Sequence, residues 1–370
     1  MSSVHLSDQE RHRYSRHLVL PEFGAEGQEK LKAASVLVVG AGGLGAPVLS
    51  YLAAAGVGTI GILDDDTVSL SNLQRQVLFT TEDIGKSKAE CARQRLSSTN
   101  NQIKVITHPQ RITSANALTI IEPYDLIVDA TDNFPTRYLL NDACVILGKP
   151  HIYGSVFRYE GHVSVFNHQG GPSYRDLYPL PPKPGTVPDC EAGGVLGALP
   201  GIIGSIQAIE AIKVITNIGE VLSGKLFMLD SLTMESKIIG LPKKQNHNIH
   251  SLIDYDQFCG LKPALMKEIT VKELKALMDA KADFQLIDVR EPHEFDICNL
   301  NGELIPMAEV PASVDKISTT KQVIIHCRSG SRSGNMVQWL EKNHGMSNLY
   351  NLKGGILAWA DQIDPEMPKY

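Results

Sequence analysis

Two loops of this 370-residue chain hold residue types able to do chemistry. The first is Gly40-Ala41-Gly42-Gly43-Leu44-Gly45, which follows the apolar run Ser35–Val39 and opens a helical pattern. Where Gly40, Gly42, Gly43 and Gly45 lack Cβ atoms, a backbone can approach phosphate closely, and the helix N-terminus offers N–H donors. Asp64 ends the next apolar run about 20 residues on, where a carboxylate meets a ribose hydroxyl. These residues alone suit a dinucleotide oxidoreductase as well as an ATP-consuming enzyme. Ser71-Asn72-Leu73-Gln74-Arg75-Gln76, then Lys88, then Thr131-Asp132-Asn133 favour the second. Cations neutralise a triphosphate as pyrophosphate leaves, and a carboxylate such as Asp132 can hold magnesium. No motif for a hydride site accompanies them. Taken singly, Arg75 and Lys88 read as solvated charges and Asp132 as a helix cap ahead of Pro135. Asp65 and Asp66 are left as surface acids.

The second loop is Cys327-Arg328-Ser329-Gly330-Ser331-Arg332-Ser333, between the apolar run Val323–His326 and the helical pattern Gly334–Lys342. A short loop closing on a helix N-terminus aims backbone N–H groups at one sulfur, and Arg328 and Arg332 add positive charge. Both features stabilise a thiolate or a persulfide anion. A phosphatase C-x5-R loop needs arginine at position 333, where this chain has Ser333, so sulfur transfer is the better reading. A second candidate thiol, Cys190, sits in TVPDCEAGGVLGALPG ahead of a long apolar helix.

Elements that could position these loops are legible around them. Ser35–Val39, Thr59–Leu63, Asp125–Ala130 and Lys149–Gly154 read as strands alternating with helices at Gly45–Ala55 and Pro135–Leu147, which predicts an α/β fold with a mostly parallel sheet. From Tyr153 to Phe166 the alternation predicts antiparallel strands around a turn at Glu160–Gly161. Ile202–Ile215 reads as a buried helix, and Lys225–Asp230 and Lys237–Ile239 as closing strands. The polar, proline-bounded stretch that follows predicts a boundary: a first domain over 1–245, a linker over 246–264 and a second α/β domain over 265–370. In the latter, Cys298 reads as structural, Asp288 and Arg290 as braces for the loop, and Trp359 as core.

Composition sets the outer limits. The formal charge of −6 gives no broad electrostatic case for nucleic acid. Gly193–Ile215 is the most apolar stretch, but Pro200, Gln207, Glu210 and Lys213 interrupt it, so no membrane span is expected. Six scattered cysteines and a polar N-terminus predict a cytoplasmic protein with reduced thiols.

Over residues 5 to 240, GAGGLG, DDDTVSLSNLQRQ, TDN and the early RYSRH together resemble the ubiquitin-activating-like enzymes of the MoeB/ThiF group. Residues 268 to 370, with IDVREPHEFDICNLNGELIPM, the Cys327 loop and LKGGILAWADQID, resemble a rhodanese domain. The resemblance implies a Rossmann-like adenylation domain with a mixed sheet, followed by a small α/β rhodanese domain. It implies that Gly43, Asp64, Asn72, Arg75 and Lys88 bind ATP and that Asp132 acts through Mg. Arg16 would act on the partner subunit's nucleotide, which implies a homodimer. The expected reaction is adenylation of the C-terminal glycine of a ubiquitin-like sulfur carrier ending in Gly-Gly. Cys327, loaded by a persulfide donor such as a cysteine desulfurase, then supplies sulfur, with Cys190 as the resolving thiol. A MoaD-like carrier of molybdenum cofactor synthesis is the first expectation; ThiS-like and Urm-type carriers are the alternatives. A catalytically inactive carrier-binding module is the rival from another class, and intact Asp132 and Cys327 speak against it. The family's two C-x-x-C zinc pairs have no counterpart here: Ser173 and Asp176 stand at the first, and His247 and His250 near the second. No structural zinc is therefore expected.

Overall fold

The computed structural model describes residues 5–182, 193–242, 249–261 and 266–370. The chain divides into two compact units, Met1–Leu261 and Lys262–Tyr370. The first is built on eight strands: β1 (Ser35–Val39), β2 (Thr59–Leu63), β3 (Lys104–His108), β4 (Leu126–Asp129), β5 (His151–Phe157), β6 (Glu160–Phe166), β7 (Lys225–Asp230) and β8 (Ser236–Gly240). They form one mixed sheet in the order β3-β2-β1-β4-β5-β6-β7-β8. Pairing is parallel from β3 to β5 and antiparallel from β5 to β8.

The run SVLVV is apolar at every position but the first because β1 is buried on both faces. Val36 and Val38 point into one core with Val48, Leu49 and Leu52 of the helix Gly45–Ala55. Leu37 and Val39 point into the other, with Tyr138, Leu139 and Leu140 of the helix Phe134–Leu147. The long apolar helix runs Leu199–Thr216, three residues earlier than its periodicity predicts, with Pro200 tolerated in the first turn. It is apolar and long enough to cross a membrane, but it packs on the sheet. Gln207 Nε2 donates to the carbonyls of Asp129 (2.7 Å) and Ile152 (3.3 Å), fastening the helix over β4 and β5.

Three sequence expectations need correction. β3 is absent from the strands that the sequence pattern predicts: it is a five-residue edge strand, only partly buried, and gives a weak apolar signal. The β5–β6 turn lies at Arg158–Tyr159 rather than Glu160–Gly161, with Arg158 at φ 53°. Part of the stretch 246–264 expected as linker belongs to the first unit: the helix Tyr255–Phe258 buries Tyr255, whose hydroxyl donates to Asp142 at 2.7 Å. Leu252, Tyr255 and Phe258 recur at helical spacing and all join that core.

The second unit holds β9 (Glu268–Ile269), β10 (Phe284–Asp288), β11 (Glu303–Leu304), β12 (Gln322–His326) and β13 (Leu349–Leu352) in an all-parallel sheet of order β11-β10-β12-β13-β9. Val323 and Ile325 face one core and Ile324 the other, where Trp359 is buried as expected.

Candidate active sites

In the first unit β1 is flanked by β2 on one side and β4 on the other, so the loops leaving these strands diverge above a crevice, the place where open α/β sheets bind ligands. A cavity of about 320 Å³ lies there, lined by Gly40, Gly42, Gly43, Asp64, Arg75, Lys88, Asp132 and Asn133 among others. The loop needs glycine at two of its positions for steric reasons. Gly40 adopts φ +94°, and a Cβ there would stand 2.7 Å from the Ala130 carbonyl oxygen. At Gly45 a Cβ would meet the Gly40 carbonyl oxygen at 1.9 Å. Gly45 does not line the cavity; it lets the helix start directly beneath the loop.

Asp64 ties the floor together. Its Oδ2 accepts from the Ala41 N–H (2.7 Å) and its Oδ1 from the Asp66 N–H (2.9 Å). Burial pushes its carboxyl up, opposed by those two hydrogen bonds and by the Lys88 charge. Lys88 is buried at the start of the helix Lys88–Thr99, and its Nζ donates to Asp66 Oδ2 at 2.9 Å. Asp66 is therefore more than the surface acid its sequence context suggests: it pairs the buried cation, and with Asp65 it lines the cavity. Asn133 caps the helix Phe134–Leu147 by accepting from the Thr136 N–H at 3.0 Å. That leaves Asp132 exposed at the cavity, its carboxylate without a hydrogen bond or ion pair among the described residues. The cap assignment thus belongs to Asn133, not Asp132.

Ser71, Asn72, Leu73 and Gln74 do not line the cavity. Ser71 and Asn72 belong to a short turn over Leu70–Asn72, closed by Asn72 Oδ1 accepting from the Ser69 N–H (3.1 Å), and Leu73 and Gln74 continue it to Arg75. Arg75 Nη1 donates to the Ser71 carbonyl at 3.2 Å. Arg16 is exposed on the helix Ser15–Leu18 and does not line the cavity either. Cys190 and His247 lie outside the described residues. Two further arginines line the cavity and had no sequence signal. Arg137 donates from Nη2 to the Thr131 carbonyl (3.0 Å) and sits 5.4 Å from the Tyr153 ring centroid. Arg111 stands 3.6 Å from Asp256 on the helix Tyr255–Phe258.

Among the described residues no group of three or more His, Cys, Asp or Glu side chains forms a metal cage. Magnesium needs none, since it binds one or two carboxylates together with substrate phosphates, and Asp132 fits that role. At the first expected zinc position the residues bond to each other instead. Ser173 N and Oγ both donate to Asp176 Oδ2, at 2.8 and 3.0 Å, so this pair caps the short helix Tyr174–Leu177. Neither supplies the thiolate or imidazole that structural zinc prefers.

The second site begins where β12 ends. Cys327 is 1% exposed; its Sγ accepts from the Gly330 N–H at 3.2 Å and lies 3.3 Å from Ser333 Oγ. Gly330 takes φ 92° and caps the helix Ser331–His344, which starts earlier than predicted. Ser329 and Ser331 are exposed. Arg332 does not hold its charge free for the sulfur: it forms two hydrogen bonds to Glu294, at 2.6 and 2.7 Å. Those bonds hold the Glu294 carboxyl down at about 2. Arg328 lies 5.3 Å from the Tyr370 ring centroid. As expected, Asp288 and Arg290 brace the region: both are fully buried and paired, and Arg290 also donates to the carbonyl of buried Cys298 (2.7 Å).

Freeing Arg332 changes what the loop accepts. We expect Glu294→Gln to lower the KM for thiosulfate, a small dianion, by roughly tenfold, as a charge-assisted hydrogen bond becomes available. Steady-state sulfurtransferase assays with thiosulfate and cyanide check this; an unchanged KM would show that Arg332 does not reach the donor.

His326, on β12, gives the second unit a pH dependence. It is fully buried with Nε2 3.6 Å from Asp288 Oδ2, and burial pushes its imidazole down from 6.5 to about 4. Between those values the unfolded chain binds a proton that the folded unit refuses, so stability is complete above 6.5 and falls as pH drops toward about 4. The loss is about 3 kcal/mol. Both tryptophans, Trp339 and Trp359, lie in this unit, so fluorescence in urea reads its unfolding. His326→Gln should flatten the profile, and an equal pH response in both proteins would contradict the assignment.

The ThiF family matches residues 14–251 and the rhodanese-like domain residues 270–362. The probable adenylyltransferase/sulfurtransferase MoeZ of Mycobacterium tuberculosis is 46% identical over 379 residues, covering 99% of this chain and 96% of that protein. The adenylyltransferase and sulfurtransferase MOCS3 of Aedes aegypti is 44% identical over 393 residues, covering 99% and 90%. Among solved structures, E. coli MccB with ATP superposes with a TM-score of 0.56 at 25% identity, over 66% of this chain and 76% of that one.

Proposed function

Because this chain belongs to the ThiF family and, joined to a rhodanese-like domain, is an adenylyltransferase and sulfurtransferase, we propose that its acceptor is a ubiquitin-like sulfur carrier ending in Gly-Gly. The observation that carries the reading is the cavity at the β1–β4 crevice, lined together by the glycine loop, Arg75, Lys88 and Asp132, an acid with no hydrogen bond or ion pair among the described residues. ATP binding is expected of this adenylation fold, and a structural neighbour was solved with ATP.

In this reading the backbone of Gly40–Gly43 and the cations Arg75 and Lys88 hold the triphosphate, and Asp64 orients the ribose. Asp132 would hold magnesium, which when bound offsets the charge developing on the departing pyrophosphate. The carrier's terminal carboxylate attacks the α-phosphorus, pyrophosphate leaves, and an acyl-adenylate forms. Cys327, loaded by a persulfide donor such as a cysteine desulfurase, carries a terminal sulfur that attacks the acyl carbon and expels AMP. The resulting acyl disulfide is opened by Cys190, whose thiolate attacks the Cys327 sulfur. The carrier leaves as a thiocarboxylate, and a cellular dithiol reduces the remaining disulfide. Arg16 would reach the nucleotide of a second copy, so the working form is a homodimer in the cytoplasm.

A MoaD-like carrier is the first choice, in keeping with the relatives' names; ThiS-like and Urm-type carriers are the alternatives. ATP–pyrophosphate exchange with each carrier in turn tests this, and exchange with one names the carrier. No exchange with any, using folded protein and magnesium, would remove the adenylation half. The Ser173–Asp176 cap supports folding without zinc, and stoichiometric zinc surviving dialysis would overturn that.

A further inference from the structure

Cys327, Ser333 and Asn351 form a chain of contacts in which one proton has two destinations. Ser333 Oγ lies 3.3 Å from Cys327 Sγ and 2.7 Å from Asn351 Oδ1. All three residues are buried, at 1%, 0% and 2% exposure for Cys327, Ser333 and Asn351, so bulk water does not supply a missing partner. A serine hydroxyl donates once. The Asn351 amide is oriented from its far side: Nδ2 lies 3.4 Å from Glu268 Oε1, a carboxylate oxygen that accepts only, and β13 pairs Asn351 with Glu268 in register. Oδ1 therefore faces Ser333 and, being nearer than the sulfur, takes its proton at rest. The lone pairs of Ser333 Oγ are then turned to the Cys327 thiol.

Ionisation of Cys327 reverses that demand. A thiolate draws the hydroxyl proton to itself, which strips the buried Asn351 Oδ1 of its donor. We propose that Asn351 is a positioning residue for sulfur transfer: it holds the Ser333 proton away from Cys327 and so favours the neutral forms of that sulfur over the free thiolate. In a persulfide or an acyl disulfide the inner sulfur is neutral, so the same bond favours the loaded states. The proposal rests on Cys327 being the sulfur-carrying thiol, but it does not depend on which carrier is served.

The other charged groups around Cys327 stay in place when Asn351 changes. They are Arg328 on the loop, the Arg332–Glu294 pair, Asp288, Arg290 and His326 on the strand side, and Glu268 with Lys353 beyond Asn351. The test is a titration of thiolate ultraviolet absorbance in the full chain, with the Cys327→Ser curve subtracted. Asn351→Leu releases the Ser333 hydroxyl to the sulfur and should lower the Cys327 midpoint by about one pH unit. Asn351→Asp places a stronger acceptor and a negative charge at the same point and should raise it. In a Ser333→Ala background, Asn351→Leu should produce no further shift. A merely structural role would not move the midpoint in opposite directions, nor make the Leu effect depend on a hydroxyl. If both Asn351 variants titrate like the parent, or Asn351→Leu shifts the midpoint equally without the Ser333 hydroxyl, the proposal is wrong. Tryptophan fluorescence identifies a variant that fails to fold, and the remaining Asn351 variant then decides. Carrier-dependent pyrophosphate exchange plays no part in this titration, so failure here and failure of the proposed function are separately visible.

Discussion

Asp132→Asn should lower carrier-dependent ATP–pyrophosphate exchange by roughly 10²–10³-fold while leaving thiosulfate sulfurtransferase activity at the parent level. The asymmetry follows from where Asp132 sits. It is exposed at the cavity and makes no hydrogen bond or ion pair among the described residues, while the neighbouring Asn133 caps the helix. Asparagine has the same shape and removes only the charge. The fold has nothing to lose, whereas a site gathering Arg75, Lys88 and a triphosphate loses the anionic oxygen needed for magnesium. The second unit folds around its own two cores, so its activity does not depend on this side chain. Substantial exchange in Asp132→Asn would mean that Asp64, Asp65 or Asp66 holds the metal instead.

Cys327→Ser gives the mirror result: sulfur transfer falls to background, and pyrophosphate exchange is unchanged. A serine alkoxide cannot form at neutral pH in this loop, and oxygen does not carry a transferable persulfide sulfur. The Gly330 N–H and the Ser333 hydroxyl can hydrogen-bond an oxygen as readily as a sulfur, so the loop geometry survives. Mass spectrometry of the persulfide-treated chain, with exchange measured on the same sample, checks both halves. A persulfide retained by the Cys327→Ser protein would place the sulfur on another cysteine.

Both chemical loops are legible because each follows a strand with an apolar centre, and strand-to-loop-to-helix context gives a glycine run or a cysteine its meaning. Gly40 and Gly45 are there for reasons that a sequence can announce, since only glycine survives the contacts they make. Asp66 is not legible. It is mostly exposed, and what gives it a role is a lysine 22 residues on whose ammonium is buried against it. Arg137 hides inside an apolar helix pattern, one turn past the Asn133 cap, where the first turn of a helix faces the same crevice as its N-terminus. The helix Tyr255–Phe258 reads as linker because polar residues surround it, although Leu252, Tyr255 and Phe258 carry the helical period. Arg332 reads as charge for the sulfur because its partner, Glu294, lies 38 residues upstream. Asn351 is invisible for the same reason: strand pairing, not sequence proximity, brings it to Ser333.

The most direct measurement is a single turnover with isotopically labelled sulfur. The chain is loaded with labelled persulfide, freed of excess donor, and mixed with a MoaD-like carrier, ATP and magnesium. The expected result is labelled thiocarboxylate at the carrier's terminal glycine, formed only when ATP is present and absent with either Asp132→Asn or Cys327→Ser. Label that stays on Cys327 while the carrier is adenylated would contradict the account, because the two sites would then share a chain without sharing a reaction.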